Sequence, residues 1–234
     1  MGANAEVLRR SDLIGSTARE TELARLAVAR ETNGWNPADF AHEQIRGLVR
    51  QVFFTGGAQS AKQVVFSATE ANTDVAGICD QVGRALALET RADVAIVGRE
   101  PQTAMIRSPG EGIGGVIKSW SDQLEANLWR VKAFGWREGH EESGAGPYWL
   151  SCLSGLRIEF EYAVIHGPVA GTSSEAEVLG QLADGIILVL GAHTTRRAAA
   201  RKIKERLDAA QARILGVLLS ERTFPVPERI YRRL

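Results

Sequence analysis

Residues Phe160–Gly171 read FEYAVIHGPVAG, and the centre of this stretch has the composition of a buried strand. Ala163-Val164-Ile165 is wholly apolar, and Gly167-Pro168 predicts that the strand ends there. His166 stands at the strand tip, at the crevice where open α/β sheets bind ligands. An imidazole is a poor ligand for a hard, oxygen-seeking ion such as magnesium, so His166 does not predict a magnesium site at the strand tip.

Further apolar strands and amphipathic helices alternate along the rest of the chain. Strands are predicted at Gln63–Ser67, Val94–Val97, Leu128–Lys132, Ile186–Leu190 and Ile214–Leu219. Helices are predicted at Pro37–Val52, Thr73–Glu89, Val116–Leu124, Trp149–Phe160, Ser174–Leu182 and Thr195–Ala210. Continuous apolar strands separated by helices are typical of a parallel sheet covered on both faces. We therefore predict an α/β fold, a doubly wound and mostly parallel sheet.

The helix from Ser174 is predicted from a capping box, in which Ser174 and Glu177 would satisfy each other's backbone N–H groups. Gly56-Gly57 marks a boundary before the alternating region. We expect residues 1–16 to be a mobile arm, residues 17–56 to form N-terminal helices, and residues 57–234 to form the α/β domain.

Composition limits the function classes. The 234 residues carry 28 basic and 28 acidic side chains, and this zero net charge argues against a general nucleic-acid binder. Cys79 and Cys152 both lie in apolar surroundings, which favours buried, reduced thiols. No apolar run approaches the ~20 residues of a membrane helix, and no signal peptide is evident, so we expect a cytoplasmic protein.

The order of elements from Phe160 onward, with the Asp184-Gly185 step before an apolar strand, resembles a known family. It is similar to the P-loop ATPase domain of bacterial tyrosine kinases (BY-kinases) of capsule and exopolysaccharide export, and to the MinD/ParA group. The resemblance implies a P-loop NTPase-like three-layer α/β/α domain with an N-terminal helical extension. It also implies a partner, a membrane polysaccharide-export or chain-length-determining protein, which would hold the chain at the inner membrane.

The helix Phe40–Arg50 resembles the family's Glu-x-x-Arg-x-x-Arg helix, which packs subunits into rings. Glu43 and Arg46 match that spacing, whereas Arg50 comes one residue late. The resemblance therefore makes a homo-oligomer an expectation, with these three residues as the candidate contacts.

The phosphate-binding loop of the family corresponds here to Ser67–Asp74, which has no glycine and no lysine. Its candidate nucleotide-binding positions are Thr69, Glu70, Asn72, Thr73 and Asp74. Asn72 stands at the lysine position and Thr73 at the Ser/Thr position, while Glu70 and Asp74 would add negative charge beside a triphosphate. The loop therefore favours a plain strand–helix turn with Thr73 or Asn72 as the N-cap.

The family's second and third motifs are also changed. Only Glu100 keeps a carboxylate where the family has Asp-x-Asp, and His166 replaces the aspartate of the third motif. The C-terminal tyrosine cluster of the kinases is reduced to a single residue, Tyr231. Loss at three independent motifs predicts a pseudo-enzyme without a cofactor, which acts as an interaction or regulatory component of exopolysaccharide or capsule biosynthesis.

Two alternatives remain open. The first is an active but divergent ATPase or tyrosine autokinase that uses Mg-ATP with Glu100 and Thr73. The second is an unrelated small-molecule enzyme that uses His166 at the crevice where open α/β sheets bind ligands.

The helix Arg196–Arg206 is strongly basic on one face. A solvated helix face is the simplest interpretation. A docking surface for an acidic partner or an anionic membrane is the sharper one.

Overall fold

A computed structural model gives the fold over residues 37–55, 60–98, 117–131 and 145–220. The chain divides into two units, and the larger one, Glu43–Thr223, contains the whole described sheet. Of the other unit, only residues 37–42 are described. The predicted arm, the part of the predicted N-terminal helices before Pro37, Glu100 and Tyr231 lie outside the described residues.

Seven strands form one sheet. They are β1 Gln63–Ala68, β2 Val94–Val97, β3 Asp122–Glu125, β4 Leu128–Val131, β5 Tyr162–His166, β6 Gly185–Gly191 and β7 Ile214–Ser220. Their spatial order is β3-β4-β2-β5-β1-β6-β7, and every neighbouring pair is parallel except β3 with β4. The strand order reverses at β1, because β2 lies on one side of it and β6 lies on the other.

Helices cover both faces of the sheet. They are α1 Pro37–Val49, α2 Val75–Glu89, α3 Ala145–Glu159, α4 Glu175–Leu182 and α5 Arg197–Ala209, with a π-helical turn at Arg50–Phe54 after α1. One apolar core joins the sheet to α2 and the end of α1, and the other joins it to α3, α4 and α5. This arrangement confirms the predicted three-layer, doubly wound α/β fold. Within the described ranges, no helix has the length and apolarity needed to cross a membrane.

The predicted helix Val116–Leu124 is wrong. Only Lys118–Trp120 forms a 3₁₀ turn, and the chain then enters β3, which pairs antiparallel with β4. The hairpin turn is held by Asn127, whose side-chain amide lies within 3.1 Å of the carbonyl oxygens of Ala87, Thr90 and Ala92. These distant contacts override the local helical pattern.

The predicted capping box at α4 is also wrong. Ser174 is the N-cap residue, but its side chain makes no capping hydrogen bond. Instead the Ser173 hydroxyl accepts from the Glu175 N–H at 3.2 Å. The Glu177 carboxylate is drawn away to an ion pair with Arg206 of α5.

A polar clasp at the amino-terminal edge of the sheet centres on Asp184. One carboxylate oxygen accepts the backbone N–H groups of Lys62 and Gln63, each at 2.8 Å. The other accepts from Arg157 of α3 at 2.7 Å. Arg157 also donates to the buried amide oxygen of Gln63, whose amide nitrogen donates to the Leu153 carbonyl. The clasp therefore joins β1, α3 and the start of β6.

Both cysteine thiols are buried, as predicted, at 1% and 2% exposure for Cys79 and Cys152. Burial raises the pKa of the Cys79 thiol, so less reactive thiolate is present at any pH near neutrality. We expect neither thiol of the native protein to react with an alkylating reagent on the time scale of a free thiol, and both to react in urea. Rapid labelling of either thiol in the native protein, measured by mass spectrometry, would contradict this packing.

Candidate functional site

The carboxyl ends of β1 and β5 meet at an open pocket of about 160 Å³. Glu70, Thr73 and Asp74 line it from the β1–α2 turn, and His166 lines it from the tip of β5. Its remaining walls are small, with alanine, valine and glycine residues. This is the position at which an open α/β sheet places its ligand site.

The structure brings four of the seven candidate nucleotide-binding residues to this pocket. Asn72, at the lysine position, is exposed and does not line it. Thr69 is 5% exposed and lies behind the turn, where its hydroxyl shares a 2.9 Å hydrogen bond with the hydroxyl of Thr195. Glu100 is outside the described residues.

Backbone N–H groups of the β1–α2 turn already have acceptors within the protein. The Thr69 N–H donates to the Val189 carbonyl at 3.1 Å, and the Val75 N–H donates to the Thr73 carbonyl at 2.9 Å. The Thr73 N–H approaches the Glu70 carbonyl at 3.4 Å. A phosphate-binding loop needs such groups to point together at the ligand. These three already donate within the protein, two of them to carbonyls of the turn and one to β6.

Asp74 caps the amino terminus of α2. Its Oδ1 accepts from the Gly77 N–H at 2.8 Å, which places a carboxylate at the positive end of the helix dipole. Gly77 leaves room for this contact, because a Cβ built there would lie 2.3 Å from Asp74 Oδ2. The predicted caps, Asn72 and Thr73, are therefore wrong by one or two residues.

The chain after β5 closes the other side of the crevice. The Gly167 N–H donates to the Phe66 carbonyl and the Ala170 N–H to the Ala68 carbonyl, each at 2.8 Å. At Gly171, an added Cβ would lie 2.4 Å from the Thr69 carbonyl oxygen. Two backbones thus touch directly beside the turn, and this contact requires glycine at position 171.

The described lining of this pocket does not fit Mg-ATP, the cofactor that the resemblance implies. The turn supplies no lysine, and the helix terminus that would hold a phosphate is occupied by the Asp74 carboxylate. Among the residues that the structure describes, no group of three or more His, Cys, Asp or Glu side chains could hold a metal ion.

The candidate oligomerisation residues lie at the surface near the end of α2. Arg50 makes a two-point contact with Glu89, at 2.8 and 3.3 Å, and Arg46 lies 3.9 Å from the same carboxylate. Glu43 is exposed. Both arginines therefore have a partner within their own chain, which the spacing alone did not indicate.

Comparison with known proteins relates this fold to those of solved structures. No protein-family model matches the chain. A curated relative, the tyrosine-protein kinase CpsD of Streptococcus agalactiae serotype III, is 27% identical over 74 residues. That match spans 32% of this chain and 32% of the relative.

Solved structures match over more of the chain. The VpsO kinase domain aligns with a TM-score of 0.58 at 18% identity, over 80% of this chain and 98% of that one. The BceF tyrosine kinase domain gives 0.57 at 16% identity, over 76% of each chain. The kinase domain of Escherichia coli tyrosine kinase ETK gives 0.54 at 10% identity, over 71% of each. The chain therefore shares the fold of bacterial tyrosine-kinase domains, which confirms the resemblance.

Proposed function

We propose that this protein is a BY-kinase-like pseudo-enzyme that does not turn over nucleotide. It acts as an interaction or regulatory component of exopolysaccharide or capsule biosynthesis. The observation that carries the proposal is the hydrogen bond from the Gly77 N–H to Asp74, which fills the helix terminus with the protein's own carboxylate.

Electrostatics supports the loss of nucleotide binding. A triphosphate in the pocket would meet the carboxylates of Asp74 and Glu70 without a lysine from the turn to offset them. Two like charges 4 Å apart repel by about 4 kcal/mol at an effective dielectric constant of 20. Moving Asp74 aside instead sacrifices a helix cap, which costs about 1 kcal/mol. Either route disfavours a bound phosphate.

The size of the pocket points the same way. Pockets for small molecules and cofactors usually enclose about 300–1,000 Å³. The pocket formed by the described residues has about 160 Å³ and is open to solvent. A nucleotide would find little surface there to bury.

The proposed role in polysaccharide export and the proposed partner both rest on the family resemblance. That partner is a membrane polysaccharide-export or chain-length-determining protein, which the fold would contact without nucleotide control. Self-association through Glu43, Arg46 and Arg50 belongs to the same proposal.

Calorimetry with Mg-ATP tests the proposal. We expect no binding heat up to millimolar nucleotide for the 234-residue chain, and no γ-phosphate label in free phosphate or on Tyr231. The variant Asp74→Asn separates the charge of the cap from the capping hydrogen bond, because asparagine is as good an N-cap as aspartate but carries no charge. Micromolar affinity with hydrolysis in the wild-type protein would instead establish the divergent ATPase or autokinase.

A further inference from the structure

A surface at one edge of the domain combines basic and apolar side chains. We call it the α5–β7 surface, and its members are Arg196, Arg197, Arg201, Val217 and Leu219. It lies outside the pocket described above.

The basic members of this surface are exposed and carry unbalanced charge. Within the described part of the chain, none of the three arginines makes an ion pair. Of the other cations of α5, Lys204 pairs with Asp208 and Arg206 pairs with Glu177, and Lys202 lies one helical turn from Arg206, on the side that faces α4. Glu205, exposed on the same helix, offsets one charge and leaves a net excess of positive charge.

The apolar members lie on the sheet face that α5 covers. Val217 is in register with Leu188, and Leu219 is in register with Leu190. Paired residues of parallel strands point to the same face, and Leu188 packs in one core with Ile203 of α5. Because β7 is an edge strand, Val217 and Leu219 remain 56% and 57% exposed.

Helical geometry turns two of the arginines toward this apolar edge. Arg206 marks the side of α5 that faces α4, because it pairs with Glu177 there. Arg197 lies nine residues earlier, about half a turn around the helix, and Arg201 is close to it in angle. α5 begins, and β7 ends, at the carboxyl edge of the sheet, so the arginines and Leu219 lie in the same half of the domain.

We propose that the α5–β7 surface binds the anionic face of a lipid bilayer. Anionic headgroups attract unpaired lysine and arginine, and the interfacial region accepts aliphatic side chains beside them. A bilayer would contact the basic and the apolar side chains of this surface at once. Such binding does not need a complementary groove beside the outward-facing helix α5. An acidic protein would engage the cations but offers no general reason for the two exposed aliphatic residues. The inference does not depend on the proposed loss of nucleotide binding.

Vesicle co-sedimentation of the full 234-residue chain tests this proposal. We expect binding to vesicles of phosphatidylglycerol and phosphatidylcholine, weakening as salt is raised, and no binding to pure phosphatidylcholine. The triple variant R196Q/R197Q/R201Q should bind about a hundredfold more weakly, at about fivefold for each basic residue removed. V217T/L219T should bind about tenfold more weakly with an unchanged salt dependence.

A matched control removes three cations from outside the surface. The variant K62Q/R84Q/R91Q has the same net charge as the α5 triple variant, and the exposed ion pairs that it breaks contribute little to stability. It should bind anionic vesicles like the wild-type protein, and circular dichroism should show that all variants are folded.

Two outcomes would overturn the proposal. One is equal weakening by the control and the α5 triple variant, which would reduce the effect to net charge. The other is no binding to anionic vesicles together with α5-dependent binding to poly-glutamate, which would make the surface a dock for an acidic protein.

Discussion

Replacing Asp184 by alanine is expected to lower the free energy of unfolding by about 3 kcal/mol, because it leaves several donors without an acceptor. The carboxylate accepts from the N–H groups of Lys62 and Gln63 and from the Arg157 guanidinium. Each hydrogen bond that involves a charged group is worth about 1.5–3 kcal/mol, and these losses overlap because water reaches part of the site. Urea denaturation followed by circular dichroism measures the effect.

Asp208→Ala is the control for this prediction. It removes a carboxylate whose ion pair, with Lys204, lies on an exposed helix face. We expect a change of about 0.5 kcal/mol there, which is typical of an i,i+4 pair. If Asp184→Ala costs no more than Asp208→Ala, the clasp does not stabilise the fold as described.

Replacing Gly185 by alanine is expected to cost about 3 kcal/mol, because the added methyl group overpacks the sheet. A Cβ at this position would lie 2.5 Å from Leu215 Cγ and 2.7 Å from the Arg213 carbonyl oxygen. The second of these atoms belongs to the backbone and cannot turn away. β7 would have to shift against β6 to make room.

Gly216→Ala provides the matched control in the neighbouring strand. A Cβ at Gly216 would meet no atom within 4 Å, so we expect alanine there to be neutral or slightly stabilising. Thermal unfolding of the two variants compares them directly. Similar melting temperatures would show that β6 and β7 do not approach as closely as the structure has them at Gly185.

The Asp184-Gly185 step shows what the sequence could and could not predict. The dipeptide stood out by its place before an apolar strand, and local apolar runs predicted all seven strands except β3. The structure needs Asp184 and Gly185 at these positions because of their contacts with Lys62, Arg157 and Leu215. No local sequence pattern indicates those contacts. The strand order was equally inaccessible, because β1 pairs with β5 and β6 about a hundred residues later.

At the candidate site, too, the sequence predicts local features but not contacts between distant residues. The chain itself shows that the β1–α2 turn has no lysine and that Asp74 adds negative charge. That this carboxylate caps α2 depends on where the helix begins, which is two residues beyond the predicted start. The burial of Thr69 against Thr195 joins positions 126 residues apart, so its hydroxyl could not be excluded from the pocket by spacing.

The amide resonance of Gly77 tests the central claim most directly. In the structure this N–H is held by the Asp74 carboxylate, at the place where a phosphate would have to bind. In a ¹H–¹⁵N NMR titration with Mg-ATP, we expect the Gly77 and Ala76 resonances to stay in place up to millimolar nucleotide. A saturable shift of these two resonances at micromolar nucleotide would show that phosphate displaces the carboxylate, and would contradict the account.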